Sequence, residues 1–297
     1  MCGIIGYCGT GPAPERVVDG LLQLEYRGYD SAGIAALMAD RIEVRKDTGR
    51  IEDVDARHRL REMESHVALG HTRWATHGGV TPENAHPHTD SSGRIAVVHN
   101  GIIENYQDLR TELVKEGVIF ASETDTEVLP HLIARELKNG AATLEVAVAR
   151  TCTRLQGSYA FAAMSAAEPA KIVCARLDNP LIIGIGRDGN YISSDALAFA
   201  SRADTMITLQ NGQTAVVTKT KVTVLDAEMH EVSLPHLAVD RTWADTQRNG
   251  HRHYMLKEMA EQPEVLLRTL EQDDRLLTET GIDILRADRV IFTACGT

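Results

Sequence analysis

The second residue of the chain is a cysteine, in Met1-Cys2-Gly3-Ile4-Ile5-Gly6. Initiator methionine is usually trimmed when the next side chain is small, and trimming would leave a thiol and a free α-amine on one residue. The ordinary pKa of that amine, about 8, lies beside the thiol's, about 8.5, so a proton can pass between them near neutral pH. Nucleophile and base would then share a residue, as in N-terminal-amine variants of the catalytic triad. The alternative is a cysteine that merely fills a buried first strand. A second group is Gly70-His71-Thr72-Arg73-Trp74-Ala75-Thr76-His77-Gly78-Gly79, where a strand end delivers Arg73 and Trp74 into a glycine-flanked loop. Arg73 suits a two-point clamp on a carboxylate; the alternative is a surface ion pair beside a core tryptophan. A third is His99-Asn100-Gly101, where a side-chain amide and a glycine N–H offer the two donors an oxyanion hole needs. A plain strand-ending turn is the alternative. The fourth is Ser122-Glu123-Thr124-Asp125-Thr126-Glu127. Asp125 could bind an ammonium, or be one more acid favoured at a helix start, with Thr124 and Glu127 forming a capping box.

The remaining composition excludes more than it selects. Lys plus Arg is 31 and Asp plus Glu is 42 in 297 residues, a formal charge of −11 with no basic block. Nucleic acid and anionic membranes are poor partners for such a chain. No apolar run reaches the length of a membrane helix, and the N-terminus lacks the basic and apolar regions of a secretory signal. The five cysteines are scattered, without a C-x-x-C pair, which fits a reducing cytoplasm rather than a disulfide framework. His86-Pro87-His88, with His77 nearby, matches no strong zinc spacing, so neither a metal nor a cofactor is expected.

These groups need strands and helices to position them. Gly3 to Cys8 reads as a first strand and Arg16 to Tyr26 as a helix, with apolar residues at Val17, Val18, Leu21, Leu22 and Leu24. Ala32 to Met38 and Arg41 to Lys46 read as paired strands, Ile51 to Ser65 as a helix and His66 to His71 as a strand. Arg94 to His99 is a strand stopped by Asn100-Gly101, with a helix over Glu104 to Glu116. The capping box opens the next helix, in which Pro130 predicts a local distortion. Ala141 to Leu155 is helical. Seven short β runs follow between Ser158 and Leu225, separated by turn residues. The first ~240 residues therefore read as one mixed α/β domain. The polar stretch from Val239 to Gly250 reads as a linker. Helical signal returns over His253 to Gln262 and Glu264 to Leu277. Arg289 to Thr297 resembles a strand running into a glycine turn, so a longer protein is expected.

Taken together, the motifs resemble those of the glutamine–fructose-6-phosphate amidotransferase family. Met1-Cys2-Gly3-Ile4, Leu24-Glu25-Tyr26-Arg27-Gly28-Tyr29-Asp30-Ser31-Ala32-Gly33, the loop from His71 to Gly78, Asn84-Ala85-His86-Pro87-His88, Val98 to Asn105 and Ser122 to Val128 follow in that family's order. Arg252 to Met259, then Glu261-Gln262-Pro263, is similar to the start of its sugar-isomerase half. The resemblance covers the whole chain. It implies an N-terminal-nucleophile four-layer αββα sandwich over 2–239, a linker over 240–250, and an incomplete α/β sugar-isomerase domain over 251–297. It implies that Cys2 attacks the amide of L-glutamine with its own amine as base. Asn100 and Gly101 would stabilise the oxyanion. Arg73, Thr76, His77 and Asp125 would hold the substrate, Arg27 and Gly28 would position the N-terminus, and Trp74 would gate the passage of ammonia. Fructose 6-phosphate and homodimer formation would belong to the full-length enzyme. The glutaminase domain of phosphoribosylpyrophosphate amidotransferase, and a non-catalytic module on the same fold, are the competing readings.

Overall fold

Alternate side chains of the first strand enter different cores: Ile5 and Tyr7 pack with one apolar cluster, Ile4 and Cys8 with another. Both faces of that strand are therefore buried, and the chain must supply a layer for each. A computed structural model describes residues 2–75, 78–240, 254–270 and 274–291. The chain divides into two compact units, Met1–Thr246 and Gln247–Thr297.

The first unit contains fifteen described strands: β1 (Gly3–Gly9), β2 (Ser31–Leu37), β3 (Ile42–Thr48), β4 (Val67–Arg73), β5 (His88–Thr89), β6 (Ile95–Ile103), β7 (Gly157–Ser165), β8 (Lys171–Leu177), β9 (Ile182–Gly186), β10 (Gly189–Ser193), β11 (Ala203–Thr208), β12 (Thr214–Thr218), β13 (Val222–Leu225), β14 (Glu231–Val232) and β15 (Leu237–Ala238). Its helices are α1 (Ala13–Leu24), α2 (Ile51–His58), α3 (Tyr106–Lys115), α4 (Val128–Lys138) and α5 (Leu144–Cys152). One sheet has the order β15-β11-β9-β10-β1-β4-β2-β3, the other β14-β13-β12-β8-β7-β6-β5. Their named pairings are antiparallel throughout.

Three cores give the layering. Val17, Leu21 and Leu24 of α1 and Val54 of α2 pack on the first sheet. Ile4, Leu69, Val98, Ala162 and Ile183 fill the space between the sheets. Leu109, Leu113, Leu132 and Val148 of α3 to α5 cover the second sheet, through Val97, Phe161 and Val173. The period-2 alternation in β6 and β7 sends Val98, Ala160 and Ala162 inward between the sheets and Val97, Phe161 and Ala163 toward the helices. The result is the four-layer αββα sandwich.

Several sequence expectations are corrected. The helix starting at Ile51 ends at His58 because Arg59 takes a left-handed conformation, φ 52°. The strand expected to stop at Asn100-Gly101 continues to Ile103, because β7 pairs with it along its length, Ile103 opposite Gly157. Gly101 accommodates this with φ +124°, and a Cβ there would lie 2.1 Å from the Ser158 carbonyl oxygen. The capping box does not form. The Glu127 carboxylate instead accepts hydrogen bonds from the Ala121 and Ser122 N–H groups, at 2.7 and 2.6 Å, and from the Ser122 hydroxyl. Pro130 falls in the first turn of α4, where an N–H has no intrahelical partner to lose; the irregularity lies just before it, as a 3₁₀ turn over Asp125–Glu127.

The second unit contains α6 (Tyr254–Leu270) and α7 (Asp274–Arg286). α6 runs through Pro263 rather than breaking there, at the cost of one backbone hydrogen bond. Of the expected linker over 240–250, residues 241–250 lie outside the described residues, as do residues 292–297 of the final strand expected over 289–297, whose described residues 289–291 form no strand.

Candidate active site

Cys2 stands just before β1, and strands on both sides hold that position. Gly3 is paired with Thr72 of β4 and Ile5 with Ser193 of β10. Beyond the end of β10, Ser194 accepts from the Ile4 N–H at 3.0 Å through its hydroxyl and donates to the Ile4 carbonyl at 3.1 Å through its backbone. The Cys2 Sγ accepts from the Trp74 backbone N–H at 3.3 Å. Burial pushes the thiol up from its ordinary value, and the bond from Trp74 only partly offsets this. The thiol is thus protonated at neutral pH and needs a base to become a nucleophile.

The peptide that meets the thiol is fixed from behind. Gly28 lies against it so closely that an added Cβ would be 2.7 Å from the Arg73 carbonyl carbon and 2.9 Å from the Trp74 nitrogen. The Asp30 N–H donates to the Arg73 carbonyl at 3.1 Å, and the Asp30 carboxylate accepts from the Ala75 N–H. Arg27 does not reach the thiol. It pairs with Asp195 at 2.7 Å and hydrogen-bonds Tyr26, bracing the turn that carries Gly28 against the segment after β10.

Arg73, the last residue of β4, is buried, which overturns the alternative of a surface ion pair. Its Nη1 donates to the Gly79 carbonyl at 3.1 Å, tying the loop back onto the strand end. Asn84 takes part in the same tie, donating to Gly79 O at 3.1 Å and accepting from the Glu123 N–H at 2.9 Å. Trp74 is no core residue: it is 47% exposed and meets Tyr29 edge-on at 5.6 Å.

Asn100, on β6, reaches across to the other sheet and donates through Nδ2 to the Cys2 carbonyl at 3.0 Å. That nitrogen carries two protons and this bond uses one. Its Oδ1 faces Nε2 of His71 on β4, also at 3.0 Å. Asp125 is buried, with one carboxylate oxygen accepting from the Ile103 N–H at 2.8 Å. His99 is held by the Thr126 hydroxyl at 2.8 Å and His88 by Thr124 at 3.1 Å. Burial lowers the pKa values of His71, His86, His88 and His99; His71 falls to about 3 and His86 and His88 lie well below the usual imidazole range. These rings are neutral.

One small cavity gathers the chemistry. Cys2, Arg73, Trp74, Gly101 and Asp125 all line it, with His86, His99, Thr124 and Thr126. A larger cavity of about 600 Å³, beside Lys46, Glu83 and Glu127, contains no thiol. Size therefore does not locate the site; the convergence of nucleophile, cation and anion does. Thr76 and His77 lie outside the described residues. Sequence reading missed Asp30 and His71 as parts of the site, although both stand inside quoted motifs, because their contacts are to segments distant in the chain.

The model of the glutamine amidotransferase domain matches residues 43–254. The chain belongs to that family. Curated relatives extend the similarity over Cys2 and the rest of the chain. Glutamine–fructose-6-phosphate aminotransferases (isomerizing) from Thermococcus kodakarensis and Methanothermobacter thermautotrophicus are 41% and 43% identical over all of it. The chain spans about half the length of these relatives, 49% and 50%. Among solved structures, a glutamine phosphoribosylpyrophosphate amidotransferase from B. subtilis superposes with a TM-score of 0.67 at 29% identity, over 77% of this chain and 50% of that one. A glutamine aminotransferase class-II domain protein from Silicibacter pomeroyi shares the fold, with a TM-score of 0.53 at 18% identity over 76% of this chain and 99% of that one. The sandwich is thus the N-terminal-nucleophile-type fold of class II glutamine amidotransferases, and the family gives the Cys2 thiol its chemistry, glutaminase-type amide hydrolysis. No helix among the described residues is long and apolar enough to cross a membrane.

Proposed function

We propose that this chain releases ammonia from L-glutamine at Cys2, and that the longer protein transfers it to fructose 6-phosphate to make glucosamine 6-phosphate. The observation that carries the first half is the single cavity lined by Cys2, Arg73, Gly101 and Asp125. Glutamine has a carboxylate, an ammonium and an amide, and the cavity offers a cation, an anion and a thiol beside hydrogen-bond donors. Sequence similarity to the fructose-6-phosphate enzymes over the whole chain, at 41% and 43% identity, supports the second half.

With Met1 removed, the α-amine of Cys2 takes the thiol proton as Sγ attacks the amide carbon. Asn100 and the Gly101 N–H stabilise the oxyanion. The amine returns the proton to the leaving nitrogen, ammonia departs, and a thioester remains. Water then attacks the thioester and glutamate is released. Arg73 holds the substrate carboxylate and Asp125 its ammonium, with Thr76 and His77 completing the loop. Gly28 and Arg27 position the attacking residue, and Trp74 gates the ammonia. On this reading 2–239 is the glutaminase domain, 240–250 a linker and 251–297 the start of an isomerase domain through which the full-length, cytoplasmic protein dimerises.

The test is intact-mass analysis after treatment with a glutamine-analogue electrophile, alongside a glutaminase assay. One adduct mapping to Cys2 on the Met1-free chain, with activity lost in Cys2→Ala, is expected. Hydrolysis that survives Cys2→Ala, or that proceeds equally with Met1 attached, would sink the mechanism.

A further inference from the structure

We infer that His71 is the positioning residue of the oxyanion donor, holding the Asn100 amide with its NH2 group turned toward Cys2. This rests on the reading of Asn100 as an oxyanion donor. His71 is fully buried on β4, and its Nε2 lies 3.0 Å from both the His99 carbonyl oxygen and Asn100 Oδ1. A carbonyl oxygen can only accept, so Nε2 carries the proton and Asn100 presents its oxygen to that side. The opposite side of the Asn100 amide faces the Cys2 carbonyl at 3.0 Å, again an acceptor, so only the NH2 group fits there. The imidazole donor and the Cys2 carbonyl together permit one amide orientation. Without the imidazole donor, only the Cys2 carbonyl would still favour that orientation, and the amide would be held from one side alone.

Packing alone does not account for this histidine. Its Nδ1 is buried without a hydrogen-bond partner while the ring stacks on His86 at 4.1 Å. An apolar side chain would fill the volume without stranding a polar atom. The contact also joins the two sheets, β4 of one to β6 of the other, at the point where the nucleophile sits.

The test compares His71→Leu, His71→Gln, Asn100→Ala and the double variant Asn100→Ala/His71→Leu in the Met1-free chain, with kcat and KM for glutamine hydrolysis. Gln carries an amide N–H near the place of Nε2; Leu carries none. Loss of orientation should lower kcat by roughly tenfold to a hundredfold in His71→Leu with KM within about twofold. His71→Gln should recover most of the rate, and the double variant should be no slower than Asn100→Ala. Should Asn100→Ala keep full kcat, the oxyanion reading fails and this inference falls with it. Should Asn100→Ala be slow while His71→Leu retains its rate, or should the two losses multiply, only the positioning role is overturned. If His71→Leu does not fold, ¹⁵N NMR of the unaltered protein decides. A neutral ring protonated at Nε2 between pH 6 and 8 supports the role, and a proton at Nδ1 overturns it.

Discussion

A thiol raised in pKa by burial is a weak nucleophile until something takes its proton, and on the proposed reading the base at Cys2 is the residue's own amine once Met1 is gone. Glutaminase kcat/KM should therefore fall about tenfold per pH unit as the amine protonates below about pH 8. A rate independent of pH between 6 and 8 would point to another base. The two charged groups proposed to hold the substrate differ in how cleanly they can be tested. Asp125→Asn retains an oxygen for the Ile103 N–H but loses the charge offered to an ammonium. It should keep the thermal midpoint of the parent and raise KM for glutamine roughly thirtyfold, equivalent to about 2 kcal/mol. Steady-state kinetics beside thermal melting checks both. An unchanged KM would remove Asp125 from the ammonium site.

At the scale of elements, the site is made where strands of the two sheets and one turn converge. β4 delivers Arg73, β6 delivers Asn100 and Gly101, and β1 delivers Cys2, with the 3₁₀ turn before α4 supplying Asp125. The turn after α1 has a less visible task, because Gly28 sets how closely it approaches the Arg73–Trp74 peptide. In Gly28→Ala the new methyl would meet three backbone atoms of that one peptide at 2.7 to 2.9 Å, so the peptide must move. Its N–H would then leave the Cys2 Sγ, now 3.3 Å away. We expect kcat to drop at least tenfold, with slower alkylation of Cys2 by the electrophile. Alkylation at the parent rate would show that the peptide does not need its present place.

The whole molecule is exposed to acid by its buried histidines. His71, His86, His88 and His99 all have folded pKa values below the ordinary imidazole value because burial disfavours the cation. Below pH 6.5 the unfolded chain binds more protons at these sites, so stability falls as pH falls through that window, by up to about 1.4 kcal/mol per unit for each ring. Glu127, held near pKa 2 by His131, Ser122 and Ala121 against the opposing effect of burial, adds a loss of the same sign below about pH 4.5. Urea denaturation at pH 7.5, 6.5 and 5.5 should show a falling midpoint over the last interval, and a flat midpoint would contradict neutral buried rings. The three apolar cores lie wholly within the first unit. A chain ending at Thr246 should accordingly melt in one cooperative step and retain glutaminase activity. Loss of cooperativity on that truncation would mean that the second unit is needed for folding.

The sequence by itself determined the reactive types and most local elements. Cys2, Arg73, Asn100 and Asp125 stand out by residue type and position, and their expected roles come from the family resemblance. Strands such as β2 and β8 were visible as short apolar runs bounded by turn residues, and β3 by its alternation at Ile42 and Val44. Only the tertiary structure decided which groups meet. Cys2 touches Trp74 and Asn100, 72 and 98 residues away. The continuation of β6 past Asn100-Gly101 depends on its partner β7, more than fifty residues further on. His71 reads locally as one more strand residue, and nothing near it in the chain marks the amide that it holds. Local periodicity reports which face of an element is buried. The partner that covers that face, and the hydrogen bonds that become possible there, come from sheet pairing between distant segments.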